Sequence, residues 1–270
     1  MIKIFIFLFL LNCNTTEKKA EYPRTLNDSK ASLAIKKILN NQITGEPFRR
    51  ELITDSKWLI VADETNPTQV KYFSDIKGKL KGIWIYSDFE QYEEAKKSDK
   101  SSLIGNFFLV VDGEQFFKNL SMDLDEINMN PHSTLALYYK KQQFPALVIS
   151  AKSIELEKQL ENYPKNKEKI SSILYDFPKF YIVVANKKWI SAPDTENREP
   201  LAVFTSEDAV QKYGSAKDVV LKGKVDAIPL TGKELFTKWS GESSNFISIN
   251  PKGPTRTLVL PKEIIKENLK

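Results

Sequence analysis

The feature that most constrains this fold is a repeat with a period near 120 residues. Trp84-Ile-Tyr-Ser-Asp88 parallels Ala202-Val-Phe-Thr-Ser206, and Val111-Asp-Gly113-Glu-Gln-Phe-Phe117 parallels Leu230-Thr-Gly232-Lys-Glu-Leu-Phe236. Ile127-Asn-Met-Asn130-Pro131 parallels Ile247-Ser-Ile-Asn250-Pro251, and upstream Trp58-Leu-Ile-Val61-Ala62 parallels Tyr181-Ile-Val-Val184-Ala185. The offsets are 118, 119, 120 and 123 residues, in the same order along the chain. Solenoid repeats run at about 20–50 residues, so this period marks a whole domain duplicated once. The expected units are 29–150 and 151–270.

Each unit reads as helices packed on a mixed sheet. Leu33, Ile35, Ile38 and Leu39 in the first copy, and Ile154, Leu156 and Leu160 in the second, have helical spacing and predict an amphipathic opening helix. A short helix follows around Phe48 to Leu52 and Ile170 to Leu174, then the Val-Ala strand and the Tyr86 or Phe204 strand. Ser87-Asp-Phe-Glu90 and Thr205-Ser-Glu-Asp208 fit a hydroxyl cap with an acid three residues on. Asp112-Gly-Glu-Gln115 and Thr231-Gly-Lys-Glu234 repeat the pattern one strand later. Strands Glu126–Met129 and Phe246–Ile249 stop at Asn-Pro, where proline cannot extend a sheet. The chain is expected to return as strands over Leu135–Tyr139 with Ala146–Ile149, and over Thr257–Leu260. Closing helices are expected after Ser150 and after Leu260, the first doubling as the opening helix of the second copy. The predicted class is α/β (α+β mixed sheet), in two tandem copies of a small domain.

The N-terminus sets the expected location. Lys3 precedes an apolar run from Ile4 to Leu11, and the single cysteine of the chain follows in Leu10-Leu11-Asn12-Cys13. Such a run is too short for a bilayer span, which needs about 20 residues, and reads as a secretory signal over 1–12. The placement of Cys13 resembles a bacterial lipobox, although Asn12 departs from the usual Gly or Ala. The resemblance implies lipidation of Cys13, membrane attachment through an N-terminal lipid, and a location in the cell envelope, the outer membrane in preference to the inner. Residues 13–28 are polar and aperiodic and read as a flexible tether.

In the second copy, Leu201-Ala-Val-Phe-Thr-Ser206, Ala227-Ile-Pro-Leu-Thr-Gly232 and Phe246-Ile-Ser-Ile-Asn-Pro-Lys-Gly-Pro254 fall in order. These motifs resemble the SseB N-terminal domain family, from Ser153 to the C-terminus. The first copy is a more divergent relative, with Tyr86-Ser87-Asp88 in place of Phe-Thr-Ser and no glycine after Asn130-Pro131. The resemblance implies a small α/β domain without established catalytic residues.

The chemistry-bearing residues are sparse. His132 is the only histidine, no Gly-x-Ser-x-Gly elbow is present, and lipidation of Cys13 would remove the one thiol. Asp123-Leu-Asp125-Glu126 lacks the glycine and spacing of a calcium loop, and Gly113 and Gly232 stand alone behind their strands, without a P-loop or dinucleotide fingerprint. No cofactor, metal site or catalytic residue is therefore expected. Basic and acidic residues number 16 and 16 over 29–150, and 20 and 16 over 151–270, dispersed in pairs, so no nucleic-acid partner is expected. The turns that could touch a ligand are Thr205, Ser206, Thr231, Gly232, Asn250, Pro251 and Gly253, with capping and turn formation as their first roles. The expected function is a non-catalytic envelope lipoprotein acting as a protein-binding or scaffolding module. The alternative is an envelope hydrolase or small-ligand-binding lipoprotein with a carboxylate-lined cleft between the domains.

Overall fold

The computed structural model describes residues 22–54, 56–74, 80–98, 104–192, 198–216, 225–252 and 258–265. The signal segment, Cys13 and Gly253 lie outside the described residues. No helix among the described residues is long and apolar enough to cross a membrane.

The first half runs α1 (Lys30–Leu39), α2 (Gly45–Ile53), β1 (Lys57–Val61), β2 (Tyr72–Phe73), β3 (Gly82–Tyr86), α3 (Phe89–Ser98), β4 (Phe108–Asp112), α4 (Gly113–Lys118), β5 (Glu126–Met129) and β6 (Leu137–Lys140). Helix α5 (Phe144–Leu160) bridges to α6 (Lys167–Tyr175), β7 (Phe180–Ala185), β8 (Lys188–Trp189), β9 (Leu201–Phe204), α7 (Glu207–Gly214), β10 (Val225–Leu230), α8 (Gly232–Ser240), β11 (Phe246–Ile249) and β12 (Leu258–Pro261). The molecule is thus mixed α/β, with two mixed sheets of six strands. Their orders are β4-β1-β3-β5-β6 and β10-β7-β9-β11-β12, strand for strand the same. The β3–β5 and β9–β11 pairs are parallel and the other described pairs antiparallel. The short strand of each unit differs: β2 pairs with β3, whereas β8 pairs with β7.

Register corrects one sequence match. Leu59 pairs with Tyr86 and Val110, and Tyr181 pairs with Phe204 and Pro229. The first strands therefore correspond at an offset of 122 residues, not 123. A slip of one residue exchanges the two faces of a strand, so the distinction decides which side chains are equivalent. Trp58 and Ile60 face one core with α1, α2, α4 and α5, while Leu59 and Val61 join Tyr86 and Tyr92 under α3. Phe180 and Ile182 face α6 and α8, while Tyr181 and Val183 join Phe204 and Tyr213 under α7. Burial on both faces explains why these strands read as unbroken apolar runs.

Helix α5 is common to both cores. Phe144, Leu147, Ala151 and Ile154 belong to the first cluster, and Leu156 and Leu160 to the second. The expected strand over Ala146–Ile149 is instead its first turns, started by Pro145. The final closing segment is a short 3-10 helix, Lys262–Ile265. Helix α1 buries Ala31, Ala34 and Ile35, and leaves Leu33 and Leu39 exposed. Of the four apolar residues expected on its buried face, Ile35 and Ile38 meet the core, beside Ala31 and Ala34, while Leu33 and Leu39 do not.

Of residues 13–28, expected to be a tether, residues 13–21 lie outside the described residues. Tyr22 to Asp28 are docked on the first domain, with a 3-10 turn over Leu26–Asp28 closed by Thr25 and Asp28.

Candidate functional site

The two Asn-Pro turns form one device, built twice. Asn130 and Asn250 adopt φ of 49° and 47°, a left-handed geometry that asparagine tolerates better than most residues. The backbone amide of Asn130 donates to Ile85 O, and that of Asn250 to Val203 O, each at 2.8 Å. The Asn250 Oδ1 accepts from the Thr205 amide at 2.9 Å, and its Nδ2 donates to Thr205 Oγ1 at 2.9 Å. In the first domain Asn130 makes the same two bonds to Ser87, both at 2.8 Å. All four residues are buried. Each asparagine clasps the end of the neighbouring parallel strand, and in the second domain the Asn250 side chain is turned onto the Thr205 amide and hydroxyl. Pro251 is buried in the same turn.

That clasp moves the helix caps by one residue. Ser87 and Thr205 were the expected caps, but the cap residues are Asp88, which accepts from the Gln91 amide at 2.9 Å, and Ser206, which accepts from the Ala209 amide at 3.1 Å. The expected acids Glu90 and Asp208 do not close these caps. Glu90 accepts from the Leu26 amide, and Asp208 accepts from the Glu46 amide across the domain boundary at 2.7 Å.

Thr231 and Glu234 form the complete reciprocal box expected of them. The Glu234 pKa is lowered by the Thr231 backbone and hydroxyl bonds. Asp112 caps α4 through the Gln115 amide. Burial alone would raise the Asp112 pKa, but the bonds from Lys57 and Gln115 prevail and lower it. Neither helix start is open to a ligand along its glycine. The Gly232 amide donates to Phe177 O at 2.9 Å and the Gly113 amide to Ser56 O at 2.8 Å. A Cβ on Gly232 would stand 1.9 Å from Leu174 O and 2.5 Å from Tyr175 O. Glycine is required there because two backbones meet.

Asp88 is a wholly buried carboxylate, bonded by the Ser32 hydroxyl and the Gln91 amide. Burial raises its pKa, against the lowering effect of those bonds. A raised folded-state pKa means that the folded protein holds this proton more tightly than the unfolded chain, where aspartate titrates near about 3.9. The contribution of Asp88 is therefore favourable below that value and is lost as pH rises through the folded pKa. Asp88→Asn keeps the cap and removes the buried charge. We expect it to match or exceed the wild-type stability near about pH 7, with the difference closing toward about pH 4, in urea denaturation followed across pH. A variant weaker than wild type at neutral pH would contradict this.

The carboxylates between the domains are engaged. Glu46 Oε2 accepts from the Ser150 hydroxyl at 2.7 Å and from Arg49 at 3.1 Å, while Arg50 holds Glu157 through both guanidinium nitrogens. A cleft of about 170 Å³ beside α4, α5 and α6 contains Glu114 and Glu155, paired with Lys158 at 2.6 Å and Lys118 at 3.0 Å. His132 lies edge-on to Trp84, with ring centroids 5.4 Å apart, in a left-handed turn with φ of 63°. Among the described residues, no group of three or more His, Cys, Asp or Glu is placed to hold a metal ion.

An open groove of about 940 Å³ lies in the second domain, with Val184, Trp189, Leu201, Ile228 and Phe246 among its lining, of which Trp189 and Leu201 belong to the buried core. Its rim carries Lys187, Lys188, Arg198 and Lys238 against Glu199, Asp226 and Glu242. The β7–β8 turn places the two adjacent lysines: Asn186 and Lys187 have φ of 51° and 66°, as a tight two-residue hairpin needs. Arg198 lies 5.1 Å from the Phe246 ring centroid. Beside the groove, edge strand β10 is exposed from Val225 through Pro229 on both faces, whereas every residue of its counterpart β4 is partly covered. Such a volume is in the range of ligand sites, and its openness to solvent suits an extended chain more than a sequestered small molecule. Val184, Leu201, Ile228 and Phe246 lie in segments that the sequence marks as strands of the repeat, but nothing in those segments signals that they line a common groove.

No family model matches the chain, and no curated protein matches it either. Among solved structures, Anabaena Tic22 (protein transport) aligns over 74% of this chain and 88% of its own, at 12% identity and a TM-score of 0.21. That overlap is too loose to establish a common fold.

Proposed function

We infer that this chain is a lipid-anchored protein of a bacterial cell envelope, preferentially of its outer membrane. In this reading it is non-catalytic, and its two tandem domains, which resemble the SseB N-terminal domain family in sequence, form a protein-binding module. The observation that carries the binding role is the open groove beside β10, lined by polar side chains of both charges together with apolar ones. An extended protein segment meets such a mixed surface well, packing apolar side chains against Ile228 and Phe246 while its polar groups meet the charged side chains beside them. Pro229 in the edge strand opposes simple sheet extension, so the groove rather than the strand edge is the contact. The coupling of the domains through α5 and the Arg49–Glu46–Asp208 cluster supports a scaffold that presents this groove rigidly.

The anchor rests on the Leu-Leu-Asn-Cys13 context. Cys13→Ser is expected to move the protein from the detergent phase to the aqueous phase and to abolish incorporation of labelled palmitate. Several acyl chains, at about 0.8 kcal/mol per buried methylene, bind firmly where one binds marginally. A wild-type protein that is already in the aqueous phase and takes up no lipid label would overturn the anchor.

A further inference from the structure

We propose that the face of the first domain formed by α3, the start of β4 and Phe107 is the membrane-facing surface of this protein, held against the lipid by residues Tyr22 to Asp28 acting as a strap. This rests on the lipid-anchor reading. The strap is bound as a peptide ligand would be. The Tyr22 ring lies edge-on to Phe108 at 5.2 Å and tilted to Phe89 at 5.8 Å, and the Arg24 guanidinium sits 4.1 Å from the Tyr22 ring centroid. The Phe89 amide donates to Pro23 O and the Glu90 amide to Arg24 O, both at 3.0 Å. These are first-turn amides that α3 cannot satisfy internally, so the strap supplies what the helix start lacks.

Docking shortens the leash. Eight residues separate Cys13 from Tyr22, a reach of about 30 Å when fully extended, against about 55 Å if the chain were free to Ser29. The α3 face therefore cannot move far from the lipid surface, while the second domain has no direct tie to it. Phe107, 45% exposed, precedes the Phe108 that the strap covers. Lys96 bonds Asn106 beside it, and Lys97 is exposed on the same last turn of α3. An exposed phenylalanine with neighbouring lysines suits the headgroup boundary. Glu93 lies 3.5 Å from Lys96, so proximity comes from the strap and apolar contact, not from net charge.

Lipidation consumes Cys13, so one introduced cysteine becomes the unique label site. Full-length lipidated protein would carry a donor at Lys97→Cys or at the equivalent position of the second domain, Ser215→Cys, in phosphatidylcholine vesicles containing a headgroup acceptor. We expect energy transfer at 97 to exceed that at 215 by about twofold or more, and Tyr22→Ala to lower it as the leash lengthens. Amide exchange tests the mechanism independently. In Tyr22→Ala, Phe89 and Glu90 should lose protection while the sheet amides retain theirs. Equal transfer at the two sites from lipid-labelled protein, or transfer unchanged by Tyr22→Ala, would overturn this proposal alone. Absence of lipid label and of vesicle binding would overturn the anchor reading and this proposal with it.

Discussion

Gly232→Ala is expected to destabilise the second domain by about 3 kcal/mol or more, the upper range for forced overpacking. The added methyl would meet Leu174 O at 1.9 Å and Tyr175 O at 2.5 Å, both backbone atoms at the end of α6. No side-chain rotation relieves such a clash. Helix α8 must shift, and it carries Leu235, Phe236 and Trp239, all wholly buried. The repeat supplies a control. At Gly113 the nearest contacts would be Ile53 O at 2.9 Å and Ser56 O and Trp58 Nε1 at 3.1 Å, a shallower clash than at Gly232 that still falls on backbone. We expect Gly113→Ala to cost about 1 kcal/mol. Urea denaturation of both variants, read by tryptophan fluorescence, checks the order. Equal costs at the two glycines would show that α8 is loosely seated and that the close approach is not a constraint.

Asn250→Ala should cost about 2–4 kcal/mol, from two sources. One is the loss of both side-chain bonds to Thr205, which leaves a buried amide without its acceptor. The other is an alanine at φ of 47°, where a side chain without a local hydrogen bond is strained. Asn250→Gly separates these, because glycine accepts the backbone geometry but makes neither bond. It should recover about 1 kcal/mol of the loss and no more. Asn130→Ala is expected to behave alike through Ser87, whose hydroxyl and amide the Asn130 side chain holds. If Asn250→Gly restores wild-type stability, the clasp contributes little and only the turn geometry matters.

The duplication was legible because turn and cap residues are local signals. Asn130-Pro131 and Asn250-Pro251, Asp112-Gly113 and Thr231-Gly232 fall at the same positions in two sheets of one order. What failed did so where local choices were nearly equal and a distant partner decided. Ser87 and Asp88 are both good caps, as are Thr205 and Ser206, and only the Asn130 and Asn250 side chains, 43 and 45 residues on, draw the first of each pair away. Ala146–Ile149 read as a strand because Val148 and Ile149 are β-branched, yet packing between two cores makes them helical. The matched first strands slipped by one residue because both faces of β1 and β7 are apolar and carry no alternation. Tyr22 and Arg24 looked like tether, since their partners Phe89 and Phe108 lie more than sixty residues away. The groove was invisible for a related reason. Its lining comes from β7, β8, β9, β10, α8 and β11, a property of no single segment.

A protein partner is expected to bind in the groove of the second domain. Site-specific photo-crosslinking in the native envelope tests this most directly, with the reactive side chain at Ile228 in the groove and, as a control, at exposed Leu33 on the first domain. The expected result is one discrete protein adduct from position 228, absent from position 33 and lost when Lys187 and Lys188 are both changed to glutamate in a protein that still folds. No adduct at 228, or the same adducts from 228 and 33, would contradict the claim.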